Sequence, residues 1–113
     1  MKRSLSTILN HFFNQYLVVE CGRSANSLAA FRDCFKLLFK YVAGVLEKDV
    51  DELEIEDIDQ AQVLAFLEHA EKERGWKAST RNQRLSLIKS LFRYIAREHP
   101  DLILQAQGIR AIA

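Results

Sequence analysis

Apolar residues recur at steps of three and four along most of the 113-residue chain, which predicts four helices joined by short connections. In the first, from about Leu5 to Glu20, Leu5, Ile8, Leu9, Phe12, Tyr16 and Leu17 form one stripe, and Gly22 is placed to end it. Ser24 or Asn26 can cap the second, which runs to about Leu46 with Leu28, Phe31, Phe35, Leu38, Val42 and Val45 inward. Between Glu47 and Ile58 the period breaks, leaving Val50, Leu53, Ile55 and Ile58 as isolated anchors of an ordered loop with one short extended piece. Asp59 is a good cap for a third helix that buries Val63, Phe66, Leu67 and Ala70, with Ile58 packing on Val63 as a hydrophobic staple and Gly75 as the stop. Ser79 or Thr80 caps the fourth, Thr80 having capping-box spacing with Gln83; Leu85, Ile88, Leu91, Phe92 and Ile95 are its stripe, and Pro100 follows its end. The expected fold is all-α, a compact bundle of four to five helices in one domain over residues 1–100. Residues 101–113, with Leu102, Ile103, Leu104, Ile109 and Ile112, are too apolar for a free tail; they form a short helix or begin a linker.

Composition narrows the class. The chain is 49% hydrophobic with one proline and four glycines, and it holds no apolar run of membrane-spanning length, so a soluble globular domain without a membrane role is expected. Met1, Lys2 and Arg3 open it, but polar Asn10, His11, Asn14 and Gln15 interrupt what would be the apolar core of a signal peptide, which makes the cytoplasm the default compartment. Cys21 and Cys34 make neither a disulfide framework nor a zinc site, and Cys34 falls within a helical apolar stripe as a small core residue. His11, His69 and His99 are scattered, the carboxylates between Glu47 and Asp59 lack the spacing of a calcium loop, and there is no phosphate-cradling glycine loop or nucleophile elbow. No catalytic residue, metal site or cofactor is therefore expected.

Charge changes the picture more. A net charge of +1 conceals two opposed stretches. From Glu47 to Asp59 the acids Glu47, Asp49, Asp51, Glu52, Glu54, Glu56, Asp57 and Asp59 face Lys48 alone, whereas Arg74, Lys77, Arg81, Arg84, Lys89, Arg93 and Arg97 follow without an intervening acid. On the fourth helix Asn82, Ser86, Lys89, Arg93 and Arg97 fall together opposite the apolar stripe. On the second, Arg32, Lys36 and Lys40 lie at steps of four, with small Ala25 and Ala29 toward its start. A solvated helix face usually mixes both signs. A single-signed face carrying amides, hydroxyls and cations suits a polyanion, the first two for base edges and the last for phosphates. The plainer alternative is a solvated basic surface.

The residues also carry a family resemblance. Phe13 and Tyr16-Leu17 close the first helix; Gly22-Arg23-Ser24 is followed by Ser27, Phe31 and Arg32; Leu53 to Ile58 lead into Ala65-Phe66-Leu67. Above all, Ser79 to Tyr94, STRNQRLSLIKSLFRY, has Thr, Asn two later, then Leu-Ser and a basic residue before an aromatic pair. These features, in this order and nearly from end to end, resemble the N-terminal core-binding or SAM-like domain of tyrosine recombinases and phage-type integrases. Phe31 stands where that family often has tyrosine.

The resemblance implies one half of a C-shaped clamp on double-stranded DNA, with a separate catalytic domain in the same parent protein and other recombinase protomers as further partners. It places the second and fourth helices toward the major groove. On the second it points to Ser24, Asn26, Ser27, Arg32 and Lys36, and on or before the fourth to Lys77, Thr80, Arg81, Asn82, Ser86, Lys89 and Arg93. The family's catalytic signature includes His-x-x-Arg, yet His11, His69 and His99 are followed three residues later by Asn14, Lys72 and Leu102. Tyr16, Tyr41 and Tyr94 lie in apolar patterns as core candidates rather than nucleophiles. The rival expectation is a helical protein-interaction adaptor or dimerisation module, with Leu87, Tyr94 and the apolar tail as contacts.

Overall fold

The structure, a computed structural model, describes residues 4–113. Met1, Lys2 and Arg3, weighed above as the start of a signal peptide, lie outside the described residues. The architecture is all-α: α1 (Leu5–His11) running into a π-helical stretch (Phe12–Glu20), then α2 (Ala25–Leu46), α3 (Gln60–Arg74), α4 (Ala78–Glu98) and α5 (Ile103–Arg110). The chain divides into two compact units, Met1–Asp57 and Ile58–Ala113.

In the first unit the expected first helix changes character midway. Hydrogen bonding five residues back, the π pattern, replaces the α pattern from Phe12 onward, and the Cys21 amide still donates to the Tyr16 carbonyl at 2.8 Å. This wider ring lets Phe12 and Leu17, five positions apart, both be buried. Gly22 then takes a left-handed φ of 61°, a conformation that costs glycine little, and turns the chain toward α2.

The Ser24 hydroxyl accepts from the Ser27 amide at 3.2 Å and caps α2, one of the two caps expected. Phe31, Cys34, Phe35, Leu38, Phe39, Val42 and Ala43 are its buried residues. Val45, expected inward, is 51% exposed, because the last turn projects past the core before Glu47 turns left-handed. Phe12 is fully buried at the centre, its ring 5.5–5.9 Å from those of Phe13, Tyr16, Phe31 and Phe35.

The acidic segment is ordered by its own charges. It makes two 3-10 turns, Val50–Glu52 and Ile55–Asp57, and its one extended contact is an antiparallel bridge from Ser4 to Glu54. Asp49 and Glu52 form a capping box, and the Asp57 carboxylate accepts both from Lys48 Nζ at 3.2 Å and from the Glu54 amide at 2.9 Å. Leu53 and Ile55 anchor it in the core, but Val50, expected as an anchor too, sits in the first turn and is 47% exposed.

In the second unit the Asp59 carboxylate accepts from the Gln62 amide at 2.9 Å at the start of α3, and both Ile58 and Val63 are fully buried. Gly75, with φ of 68°, ends α3. The start of α4 corrects the sequence reading: the cap position belongs to Lys77, whose carbonyl accepts from Arg81 at 2.9 Å, and no side chain caps it. The turn at Gly75 lets the chain enter the helix earlier than the hydroxyl residues, so Ser79 and Thr80 lie inside the first turn.

Leu85, Ile88, Leu91, Phe92 and Ile95 are buried as the stripe requires, and Tyr94 joins them. After a 3-10 turn at Pro100–Leu102, α5 packs on α4 and α3, burying Ala106 and Ile109. Gln60 Nε2 donates to the Gly108 carbonyl at 2.8 Å and Gln105 Nε2 to the Ile58 carbonyl at 2.7 Å, tying α5 to the start of α3.

Phe12→Ala should lower unfolding stability by about 3–5 kcal/mol, since it removes a fully buried ring from contact with four others; urea unfolding followed by circular dichroism measures this. Ser24→Ala should cost about 1 kcal/mol by leaving the Ser27 amide uncapped, while Ser24→Asp, another good cap, should hold stability near wild type in the same assay.

Candidate nucleic-acid interface

On α2, helical pitch sends Arg32, Lys36 and Lys40 to solvent, and all three are exposed. The Arg32 guanidinium lies over the Phe13 ring, 5.6 Å from its centroid, and Arg23 lies over Phe31 at 5.5 Å. Both arginines are thus steadied by the faces of the aromatic cluster rather than by carboxylates, which leaves their charge to project outward. Arg23 Nη1 also reaches the Ser27 hydroxyl at 3.5 Å. The sequence reading did not single out Arg23 as a site residue; its signal was position, one residue before the cap and one turn from Ser27. Of the other residues expected here, Asn26 is exposed and Ser27 half-buried, while Ser24 uses its hydroxyl as the cap.

On α4 the structure brings Asn82, Ser86, Lys89 and Arg93 together along an open cleft of about 330 Å³, completed by Leu85 and Ala113. No carboxylate side chain lines it. Asn82, Ser86 and Arg93 are exposed, and Lys89 is half-buried. Lys77 is exposed just before the helix, whereas Thr80 is half-buried in its first turn.

Arg81 and Lys89 are already engaged within the chain. Arg81 pairs through Nε with Glu71 at 3.3 Å and through Nη1 donates to the Asn82 side-chain oxygen at 3.0 Å and to the Ala113 backbone oxygen at 2.7 Å. Lys89 Nζ donates to the backbone oxygen of Ile112. Because a guanidinium can only donate, the Asn82 atom facing Arg81 must be its oxygen, and its NH₂ group therefore turns away from Arg81.

Glu71 was missed because the reading counted acids only within Arg74 to Arg97. The turn at Gly75 sets a residue three before the end of α3 against one three into α4. The contacts with Ile112 and Ala113 had no sequence signal, since their acceptors are backbone atoms.

Two neighbours are structural. Trp76 is half-buried, edge-on to Phe66 at 5.7 Å with the Arg84 guanidinium 5.8 Å from its ring centroid, so it closes the core beside the connector. Tyr94, read above both as a core candidate and as an adaptor contact, is 7% exposed and takes the first role; Leu87 is half-buried. Farther along α4, Arg97 pairs with Glu98 at 2.9 Å and lies over the Tyr94 ring. Among the described residues no group of three or more His, Cys, Asp or Glu side chains could hold a metal ion, and no helix is long and apolar enough to cross a membrane.

Comparison with known proteins adds relatives. The chain is 37% identical over 109 residues to an integrase/recombinase, y4rC, of Sinorhizobium fredii, covering 96% of this chain and 33% of that protein. It is 31% identical over 108 residues to the same organism's integrase/recombinase y4rD, covering 96% of this chain and 38% of the relative. To tyrosine recombinase XerC of Xylella fastidiosa it is 32% identical over 107 residues, covering 95% of this chain and 34% of the relative. The chain thus spans little more than a third of the length of these relatives. No solved structure gives a significant match. Residues 9–99, which hold the end of α1 and all of α2, α3 and α4, match the family described as phage integrase, N-terminal SAM-like domain, and the chain belongs to that family.

Proposed function

We propose that the chain is the DNA-binding module of a site-specific tyrosine recombinase or integrase, gripping a recombination half-site through α2 and α4. The observation that carries this is the cleft on α4, lined by no acidic side chain, where an amide, a hydroxyl, an ammonium and a guanidinium share a helix whose opposite side is locked in the core. Arg93 sits at the open end with no intramolecular partner among the described residues and suits a phosphate. Asn82, its NH₂ turned away from Arg81, suits acceptor atoms on base edges. On α2, Arg32 and Lys36 add phosphate contacts, with Ser24, Asn26 and Ser27 near the backbone. On and before α4, Lys77, Thr80, Arg81, Ser86 and Lys89 complete the set.

Bond breaking and rejoining belong to a catalytic domain of the parent, since this chain lacks His-x-x-Arg, and the parent works in the cytoplasm together with other protomers on DNA. Ile103 and Leu104, 44% and 81% exposed at the start of α5, are the apolar surface suited to such a neighbour. If that surface alone were the function, the chain would self-associate without DNA.

Anisotropy titration with a random duplex and with polyglutamate, across roughly 50–200 mM salt, tests the reading. Duplex binding should exceed polyglutamate binding and fall steeply with salt; equal binding of both polymers refutes it. Arg93→Ala should weaken binding to every duplex and flatten the slope of log affinity against log salt by about 0.9, one phosphate contact. Asn82→Ala should change the preference between sequences at nearly unchanged slope; equal losses on all sequences for both variants would overturn the assignment of roles.

A further inference from the structure

Residues 112 and 113 meet the basic face of α4. Ile112 is 4% exposed, packed with Ala106 and Ile109 in the core of the second unit, and its amide donates to the Ile109 carbonyl at 3.1 Å. That anchorage carries two backbone oxygens to two cations: Ile112 to Lys89 Nζ and Ala113 to Arg81 Nη1. Ala113 also lines the cleft beside Asn82, Ser86 and Arg93. The Ile112 peptide carbonyl carries only partial negative charge, so a phosphate oxygen is the stronger acceptor for Lys89.

From this geometry we propose that residues 111–113 form a latch that regulates the α4 face by competing with DNA phosphates for Lys89. This rests on the DNA-binding reading above. With the latch closed, α4 offers Arg93 and withholds Lys89. Lifting Ile112 out of its seat frees Lys89, while Arg81 stays paired with Glu71 and Asn82, so the face gains one phosphate contact and duplex binding in turn favours the lifted tail. Because the two equilibria are linked, whatever pulls on the tail from outside this domain tunes the grip on DNA.

The test unseats the latch in the full chain with Ile112→Ser, its fold checked by circular dichroism. The salt dependence of random-duplex binding should steepen by about 0.9 units, so the ratio of Kd at 200 mM to Kd at 50 mM salt should grow about 3.5-fold over wild type. Added to Lys89→Gln, the same substitution should change nothing. Amide hydrogen exchange on the wild-type protein needs no substitution at all: saturating duplex should speed exchange at Ala111 and Ile112, whose amides bond to Gln107 and Ile109 with the tail seated.

An unchanged slope in a folded Ile112→Ser protein, steepening that persists without Lys89, or exchange that duplex leaves unchanged or slows would each overturn the latch. If wild type binds duplex and Arg93→Ala weakens it while any of these holds, the latch alone is wrong. If neither wild type nor Ile112→Ser binds any duplex, the DNA-binding reading falls and the latch with it.

Discussion

Helical pitch couples the inside of α4 to its outside. Leu85, Ile88, Leu91, Phe92 and Ile95 are each at most 4% exposed, and α3 and α5 pack on the helix they belong to. Rotating α4 to move any polar residue would pull this stripe out of its neighbours, so Asn82, Ser86 and Arg93 are held outward by the burial of the apolar side. The cleft is precise because it is the reverse of a packed core. A surface patch on a loop with the same composition would have no such constraint.

The first unit reaches a similar end differently. Its core is an aromatic cluster centred on Phe12, and the rings of Phe13 and Phe31 at its edge present faces on which Arg32 and Arg23 rest. A guanidinium held by a ring face keeps its net charge, whereas one held by a carboxylate is neutralised locally. Most acids of the unit lie instead in residues 47–57, where Lys48, the Asp49–Glu52 capping box and the Glu54 amide occupy several of them.

On α4 the cations divide by what they do for the fold. Arg81 ties α3 to α4 through Glu71 and reaches Ala113, and Lys89 meets the Ile112 oxygen just past the C-terminal end of α5, where a positive charge is favourable. Arg84 lies over Trp76. Arg93 does none of these things among the described residues. Evenly spaced charge in a sequence therefore covers unequal roles, and the difference lies in what each side chain meets across the turn or at the end of the next helix.

The sequence by itself determined the all-α class, the stripes of all four long helices, the stops at Gly22 and Gly75, the caps at Ser24 and Asp59, and which faces of α2 and α4 are basic. Each follows from interactions within a few residues or from a period repeated over several turns. What only the tertiary structure decided was of three kinds. The π-helical stretch from Phe12, the early start of α4 at Ala78, and the exposure of Val45 and Val50 depend on what packs against a segment, which local spacing does not encode. That Tyr94 serves the core and not a partner depends on which side of α4 its neighbours cover. The engagement of Arg81 and Lys89 depends on Glu71, Ile112 and Ala113, and two of those three partners act through backbone oxygens that every residue carries, so no pattern of side chains could have announced them.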